Sequence, residues 1–232
     1  MEKRWYLDNL DFIKELTEDQ RIFFYKNAYK KSYPKNTVIF SPGDTGNLIY
    51  YVESGRVKIY NLSPGGREII YWFCNPKDLF GLAELCGGEM RAVFAEAVED
   101  TQTLAINKMN FVELISKNPE ISLLIMRLYG SRIRQAHETI RDLVACDVSS
   151  RLAQLLIKLG QISGEPMEGR ILLKDKLTHQ EMANMIGATR TTVTEIINQF
   201  KREGFVKYDA GKITILNPEK LAEIIDSSGF IF

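Results

Sequence analysis

Between Leu177 and Gly204 the chain reads LTHQEMANMIGATRTTVTEIINQFKREG, two short helical patterns parted by a glycine. Thr178 followed three residues later by Glu181 is a capping box, so a helix starts there and carries Met182, Met185 and Ile186 inward. Gly187-Ala188 forms the turn. Thr189 supplies a second N-cap, and Val193, Ile196, Ile197 and Phe200 recur at the spacing that buries one helix stripe. Arg190, Thr191, Thr194 and Glu195 are left on the opposite face, in the opening turns of the second helix.

The residues after Gly204 narrow the possibilities. Phe205-Val206-Lys207-Tyr208 and Lys212-Ile213-Thr214-Ile215-Leu216 alternate like two strands around Asp209-Ala210-Gly211. A helical hairpin alone would be an ordinary packing unit. A helix, a glycine turn, a second helix with a polar first turn and then a β-hairpin describe a winged helix that lays its second helix in the DNA major groove. Arg190, Lys201, Arg202, Lys207 and Lys212 fall where phosphate contacts form.

The run HQEMANMIGATRTTVTEIINQFKREGFV resembles the DNA-binding segment of the CRP/FNR family of bacterial regulators, and the likeness extends over nearly the whole chain. The resemblance implies a DNA-facing set of Thr178, His179, Gln180, Thr189, Arg190, Thr191, Thr194, Glu195, Lys201 and Lys212. Arg190 matches a base-reading arginine, which would favour guanine through O6 and N7. Thr191 and Glu195 depart from the family pattern, so the half-site should differ; Glu195 either accepts from a cytosine N4 or pairs with Arg190 or Lys201. The resemblance further implies a homodimer on a palindromic double-stranded site, with RNA polymerase as partner if it activates.

The 232 residues allow one large domain or two modest ones. Hydrophobic residues at 45% and charged residues at 26% are ordinary globular values, and no apolar run spans a bilayer, which predicts a cytoplasmic protein with no membrane partner. Thirty basic residues balance thirty acidic ones, so DNA binding rests on local placement rather than net charge. The three cysteines, Cys74, Cys86 and Cys146, form no CxxC pair and fall short of the four thiolates an iron–sulfur cluster needs. The two histidines, His137 and His179, lie outside the strand-rich region, which excludes a histidine-built metal enzyme there. No nucleophile with a base, metal cluster or cofactor loop can be assembled, so no enzyme is expected.

The fold class read from the pattern is α+β: an N-terminal double-stranded β-helix (jelly-roll) sensor domain over 1–117, a dimerisation helix over 118–147, and a winged helix-turn-helix domain over 148–232. Trp5 to Lys30 is helical, with Leu7, Leu10, Phe12, Ile13, Leu16, Ile22 and Phe23 apolar and Thr17-Glu18-Asp19-Gln20 opening a second short helix. From Ser32 to Lys108, turns such as Pro42-Gly43-Asp44, Ser63-Pro64-Gly65-Gly66 and Asn75-Pro76-Lys77-Asp78 cut the chain into strands. Asn118-Pro119 opens a long helix whose apolar positions, Ile121, Leu124, Ile125, Leu128, Ile133, Ala136, Ile140, Leu143 and Val144, call for a partner helix. Ser149 to Gly160 is helical, Gly164-Glu165-Pro166 a loop, and Ile171-Leu172-Leu173 a strand.

Asp78-Leu79-Phe80-Gly81-Leu82-Ala83-Glu84-Leu85 followed by Arg91-Ala92-Val93 is similar to the phosphate-binding cassette of cyclic-nucleotide domains. The likeness implies an effector site of Tyr71, Phe80, Gly81, Leu82, Glu84, Leu85, Arg91, Ala92, Met126 and Tyr129, with Arg91 as the phosphate-binding arginine. Leu82 stands where nucleotide binders place the ribose-holding glutamate, and the lost anchor is worth on the order of 1–3 kcal/mol. An effector other than cyclic AMP is therefore expected, its identity open and no cofactor certain. A redox signal through a cysteine is a second route. Arg91 has a competing role, a structural ion pair with Glu84 or Glu89. A nucleotide-binding module acting on a partner protein is the alternative function, distinguished by DNA binding that ignores salt.

Overall fold

The structure is a computed structural model, which describes residues 10–174 and 176–226. Trp5 and Leu7 of the expected lead-in helix lie outside them. Two short helices open the described chain, α1 (Phe12–Glu15), capped by the Asp11 carboxylate, and α2 (Glu18–Asn27), begun by a full capping box between Thr17 and Gln20. The Gln20 amide also reaches Asn118 Oδ1 at 3.1 Å and Glu120 Oε1 at 2.6 Å, tying α2 to the start of the long helix.

The strand-rich region folds as two antiparallel four-stranded sheets. One has the order β1 (Ala28–Tyr33), β8 (Thr101–Asn107), β3 (Leu48–Ser54), β6 (Leu79–Phe80). The other runs β2 (Val38–Phe40), β7 (Phe94–Ala97), β4 (Val57–Leu62), β5 (Glu68–Cys74). Central strands β3 and β8 are apolar on both faces because they serve two cores. Tyr50, Val52 and Ala105 meet Phe40, Val57, Ile59, Cys74, Phe80 and Ala95 in one core, between the sheets. Ile49, Tyr51, Leu104 and Ile106 face the other way, onto Phe12, Phe24, Phe111, Leu114, Ile121 and Ile125.

Phe111 and Leu114 belong to α3 (Lys108–Lys117), a helix beyond the expected strands whose N-cap is the Asn107 side chain. The long helix, α4 (Pro119–Ala145), runs as expected, but its apolar positions divide between two faces. Ile121 and Ile125 are buried in the roll's outer core, with Leu128 packed against it. Leu123, Met126, Ile133, Ile140 and Val144 are exposed. The chain divides into two compact units inside α4, one ending at Gly130 and the next resuming at Ser131.

The second unit contains α5 (Val148–Ser163), β9 (Gly164–Met167), β10 (Arg170–Leu173), α6 (His179–Ile186), α7 (Arg190–Arg202), β11 (Val206–Asp209), β12 (Lys212–Ile215) and α8 (Pro218–Asp226). Its sheet has the order β11-β12-β10-β9. The expected loop at Gly164-Glu165-Pro166 is in fact β9; Pro166 fits because an edge strand leaves one side of its backbone unpaired. Also beyond the sequence pattern is α8, whose Leu221 and Ile225 are buried and whose Ile224 carbonyl accepts from Ser150 Oγ of α5 at 3.3 Å.

Phe111 is fully buried with its ring centroid 5.7 Å from that of Phe12. Replacing it with alanine should cost about 3–5 kcal/mol in urea denaturation; a loss below about 1 kcal/mol would contradict its place at the centre of the outer core.

Candidate functional site

The reading unit is built by caps and one buried stripe. Thr178 Oγ1 accepts from the Glu181 amide at 3.1 Å while the Glu181 carboxylate accepts from the Thr178 amide at 2.7 Å, the capping box that starts α6. Gly187 ends α6 in the left-handed region, φ 66°, where a side chain would be strained and would crowd Leu143. Thr189 then caps α7 through the Thr192 amide at 3.1 Å. Val193, Ile197 and Phe200 are buried against α5, α6 and β11, so the helix has one orientation available.

That orientation leaves Arg190, Thr191, Glu195 and Lys201 exposed, with Lys212 exposed on the hairpin. The hairpin turn, Ala210-Gly211, has φ of 47° and 84°, a two-residue turn that matches the twist of β11 and β12. Other predicted residues have internal tasks. Thr178 and Thr189 hold the caps, and Gln180 donates to Asn184 Oδ1 at 2.8 Å. Thr194 Oγ1 donates to the Arg190 carbonyl at 2.8 Å, so it accepts from His179 Nδ1, also 2.8 Å away. The His179 ring lies 4.5 Å from that of Tyr208 on β11, whose hydroxyl donates to the Leu177 carbonyl at 3.1 Å. His179 thus joins the first helix, the reading helix and the wing. Sequence reasoning misses Tyr208 in that role; its place in an alternating strand is the available signal.

Burial of the imidazole, followed by the nearby positive charges of Arg190 and Lys201, holds the His179 pKa below its ordinary value of 6.5. At the junction before the unit, Asp147 caps α5 through the Ser150 amide at 2.7 Å. Arg151, unremarkable in the sequence, donates from Nε to the Ile186 carbonyl at 3.0 Å and from Nη1 to the Cys146 carbonyl at 2.8 Å. It fastens the ends of α4 and α6 to α5.

In the roll, the structure brings Phe80, Gly81, Leu82, Glu84, Arg91 and Tyr129 together. Arg91 is buried: Nη1 pairs with the Glu84 carboxylate and donates to the Gly81 carbonyl at 3.1 Å, and Nη2 donates to the Leu48 carbonyl. Its guanidinium lies 4.2 Å from the Phe40 ring centroid, a cation–π contact. Of the two carboxylates the sequence offers for this ion pair, Glu84 is the partner. Phe80 stacks on Tyr50 at 4.8 Å, Leu82 and Leu85 pack on the outer core, and the Tyr129 hydroxyl donates to the Leu82 carbonyl at 2.6 Å. Tyr71, Ala92 and Met126 are exposed instead. Gly46 and Lys108 carry no sequence signal for the site: Glu84 lies across Gly46 where a side chain would stand, and Lys108 Nζ donates to the Glu84 carbonyl.

Two family models match, a Cyclic nucleotide-binding domain over residues 30–118 and a Crp-like helix-turn-helix domain over 150–224. The chain is 31% identical over 194 residues to the Global nitrogen regulator of Nostoc, covering 83% of this chain and 87% of that protein. It is 28% identical over 197 residues to the CRP-like cAMP-activated global transcriptional regulator of Mycobacterium tuberculosis, covering 85% and 88%. A solved structure of a CooA variant from Carboxydothermus hydrogenoformans superposes with a TM-score of 0.77 at 26% identity, over 94% of this chain and 95% of that one.

A roll of the cyclic-nucleotide-binding type joined to a Crp-like reading unit defines a DNA-binding transcription regulator. The chain belongs to the CRP/FNR family. The Nostoc and Mycobacterium relatives are regulators rather than enzymes. Among the described residues, no group of side chains could hold a metal ion, and no helix is long and apolar enough to cross a membrane.

The folded chain holds His179 neutral where the unfolded chain protonates it, so protonation favours unfolding. Its contribution should be full above the ordinary value of 6.5 and be lost as pH falls from there through the lowered folded value. Thermal melts from pH 8 down to 5 should show wild type losing more stability below about pH 6.5 than His179→Gln; parallel curves would contradict the half-buried neutral ring.

Proposed function

We propose that two copies of this chain pair along α4 and present both α7 helices to successive major-groove faces of a palindromic DNA site. The observation that carries the reading is the division of α7: Val193, Ile197 and Phe200 are buried while Arg190, Thr191 and Glu195 are exposed. Arg190 reads a guanine through O6 and N7, a pair worth about 1–3 kcal/mol of discrimination. Lys201 and Lys212, with the helix N-terminus, meet phosphates. His179, through Thr194 and Tyr208, ties the reading helix and the wing to the first helix, while Thr178, Thr189 and Gln180 hold the caps of the two helices and α6 itself.

Pairing is supported by the outward stripe of α4. Leu123, Met126, Ile133, Ile140 and Val144 follow an alternating three-and-four spacing, with Gly130 and His137 at the intervening positions, and Val144 is 84% exposed. A seam of that period suits a parallel partner helix, and two-fold pairing gives an isologous interface in which 118–147 acts as the dimerisation segment. The roll over 1–117 receives the signal and 148–232 reads DNA. The signal is a small molecule other than cyclic AMP, or a redox change at a cysteine, and it acts by its difference in affinity for the two arrangements of the dimer. The regulator works in the cytoplasm, with RNA polymerase as its partner at activated promoters.

Arg190→Ala should flatten the preference for a selected site over the same site with its guanine changed, by about 1–3 kcal/mol. Unaltered preference would remove Arg190 from base reading. Wild-type affinity should fall steeply with rising salt in an anisotropy titration, whereas salt-insensitive binding would contradict a DNA-reading role. Placing aspartate at both Ile140 and Val144 should weaken the dimer by on the order of a hundredfold in analytical ultracentrifugation. An unchanged dimer would move the interface elsewhere.

A further inference from the structure

We propose that the Glu84 carboxylate is the resident anion of the roll's arginine site, and that it closes the site to cyclic nucleotides and other phosphate-bearing effectors. The inference rests on reading Arg91 as the anion-binding group of the sensor. Glu84 and Arg91 are paired with side-chain exposures of 8% and 2%. The remaining Nη contacts go to the Gly81 and Leu48 carbonyls, and the guanidinium face is covered by Phe40. Arg91 Nε is buried and meets no partner among the described residues, where Glu84 is the carboxylate paired with Arg91.

Glu84 is itself held in place. Its backbone carbonyl accepts from Lys108 Nζ, it sits in the short 3-10 turn Ala83–Leu85, and its side chain lies over Gly46, where any larger residue would collide with it. A phosphate approaching Arg91 would meet a carboxylate already seated there, and two anions on one buried guanidinium repel each other. Leu82, where a ribose-holding carboxylate would be needed, is turned into the apolar outer core. The pocket is thus closed to this ligand class at both the phosphate and the sugar end, and Glu84 is the residue that sets the exclusion.

Chemical rescue tests this on the full chain. Glu84→Ala leaves Arg91 buried without its counter-ion and a space the size of a small carboxylate. Its melting temperature should lie several degrees below wild type and should be raised by sodium acetate relative to sodium chloride at equal ionic strength, because a ligand that fits only the folded state stabilises it. Wild type and the Glu84→Ala/Arg91→Met double variant should respond to acetate no differently from chloride. A single variant that ignores acetate would overturn the proposal, as would micromolar binding of cyclic AMP by wild type in calorimetry. Should Glu84→Ala not fold, Glu84→Gln keeps the shape and drops the charge. Inorganic phosphate should then bind at least about tenfold more tightly than to wild type, and equal binding would overturn the assignment. DNA affinity of the wild type, measured in parallel, reports on the regulator reading alone.

Discussion

The burial of one face of α7 is the constraint on which the DNA-reading half of the molecule depends. Val193, Ile197 and Phe200 have nowhere to go but against α5, α6 and β11, and a helix so anchored cannot rotate about its axis without exposing them. Fully burying each such side chain contributes about 1.5–3 kcal/mol, more than the local cost of any polar contact on the opposite face. The polar residues of the opening turns are therefore presented outward by the apolar ones. His179 extends the same logic to the wing: it touches Thr194 on the reading helix and Tyr208 on the hairpin, so one side chain joins both elements.

The roll solves a different problem. Its two sheets and the short helices around them need β3 and β8 to be apolar on both sides, and this lets the first turns of α4 sink Ile121 and Ile125 into the outer core. Further along α4, Ile133, Ile140 and Val144 form a second apolar face that stays exposed among the described residues, and the proposed pairing rests on it. Against Phe40 of the core between the sheets, Arg91 is a buried cation that must have a counter-charge. A bound phosphate is one solution; the side chain of Glu84 is another, and this chain has adopted it.

Most of the architecture is legible in the sequence because its signals are local. The capping box at Thr178, the left-handed glycine at Gly187 and the alternation from Val206 to Ile215 each declare an element within a few residues. Helices α3 and α8 and the edge strand β9 are not legible in this way. The two helices are only 10 and 9 residues long, so a helical period has few turns over which to show, and Pro166 beside Gly164 and Glu165 looks like a loop until a neighbouring strand pairs with it. The division of α4 into two faces is blurred for a similar reason: a helix apolar on two sides shows one broad stripe in sequence. In the roll, the choice of Glu84 over Glu89 as partner for Arg91, and the parts of Gly46 and Lys108, depend on how the Gly46 loop, the Ala83–Leu85 turn and the start of α3 are brought together. No spacing rule reaches them.

The most direct test of the account is to ask what the outward turn of α7 touches when DNA is bound. A photo-reactive phenylalanine analogue placed at Thr191 in the full chain, irradiated on a selected palindrome, should crosslink to bases in the major groove of both half-sites, and the same probe at the exposed Glu219 of α8 should not. Crosslinks from position 219 without any from position 191 would show that the chain meets DNA through another surface, and the account built on α7 would be wrong.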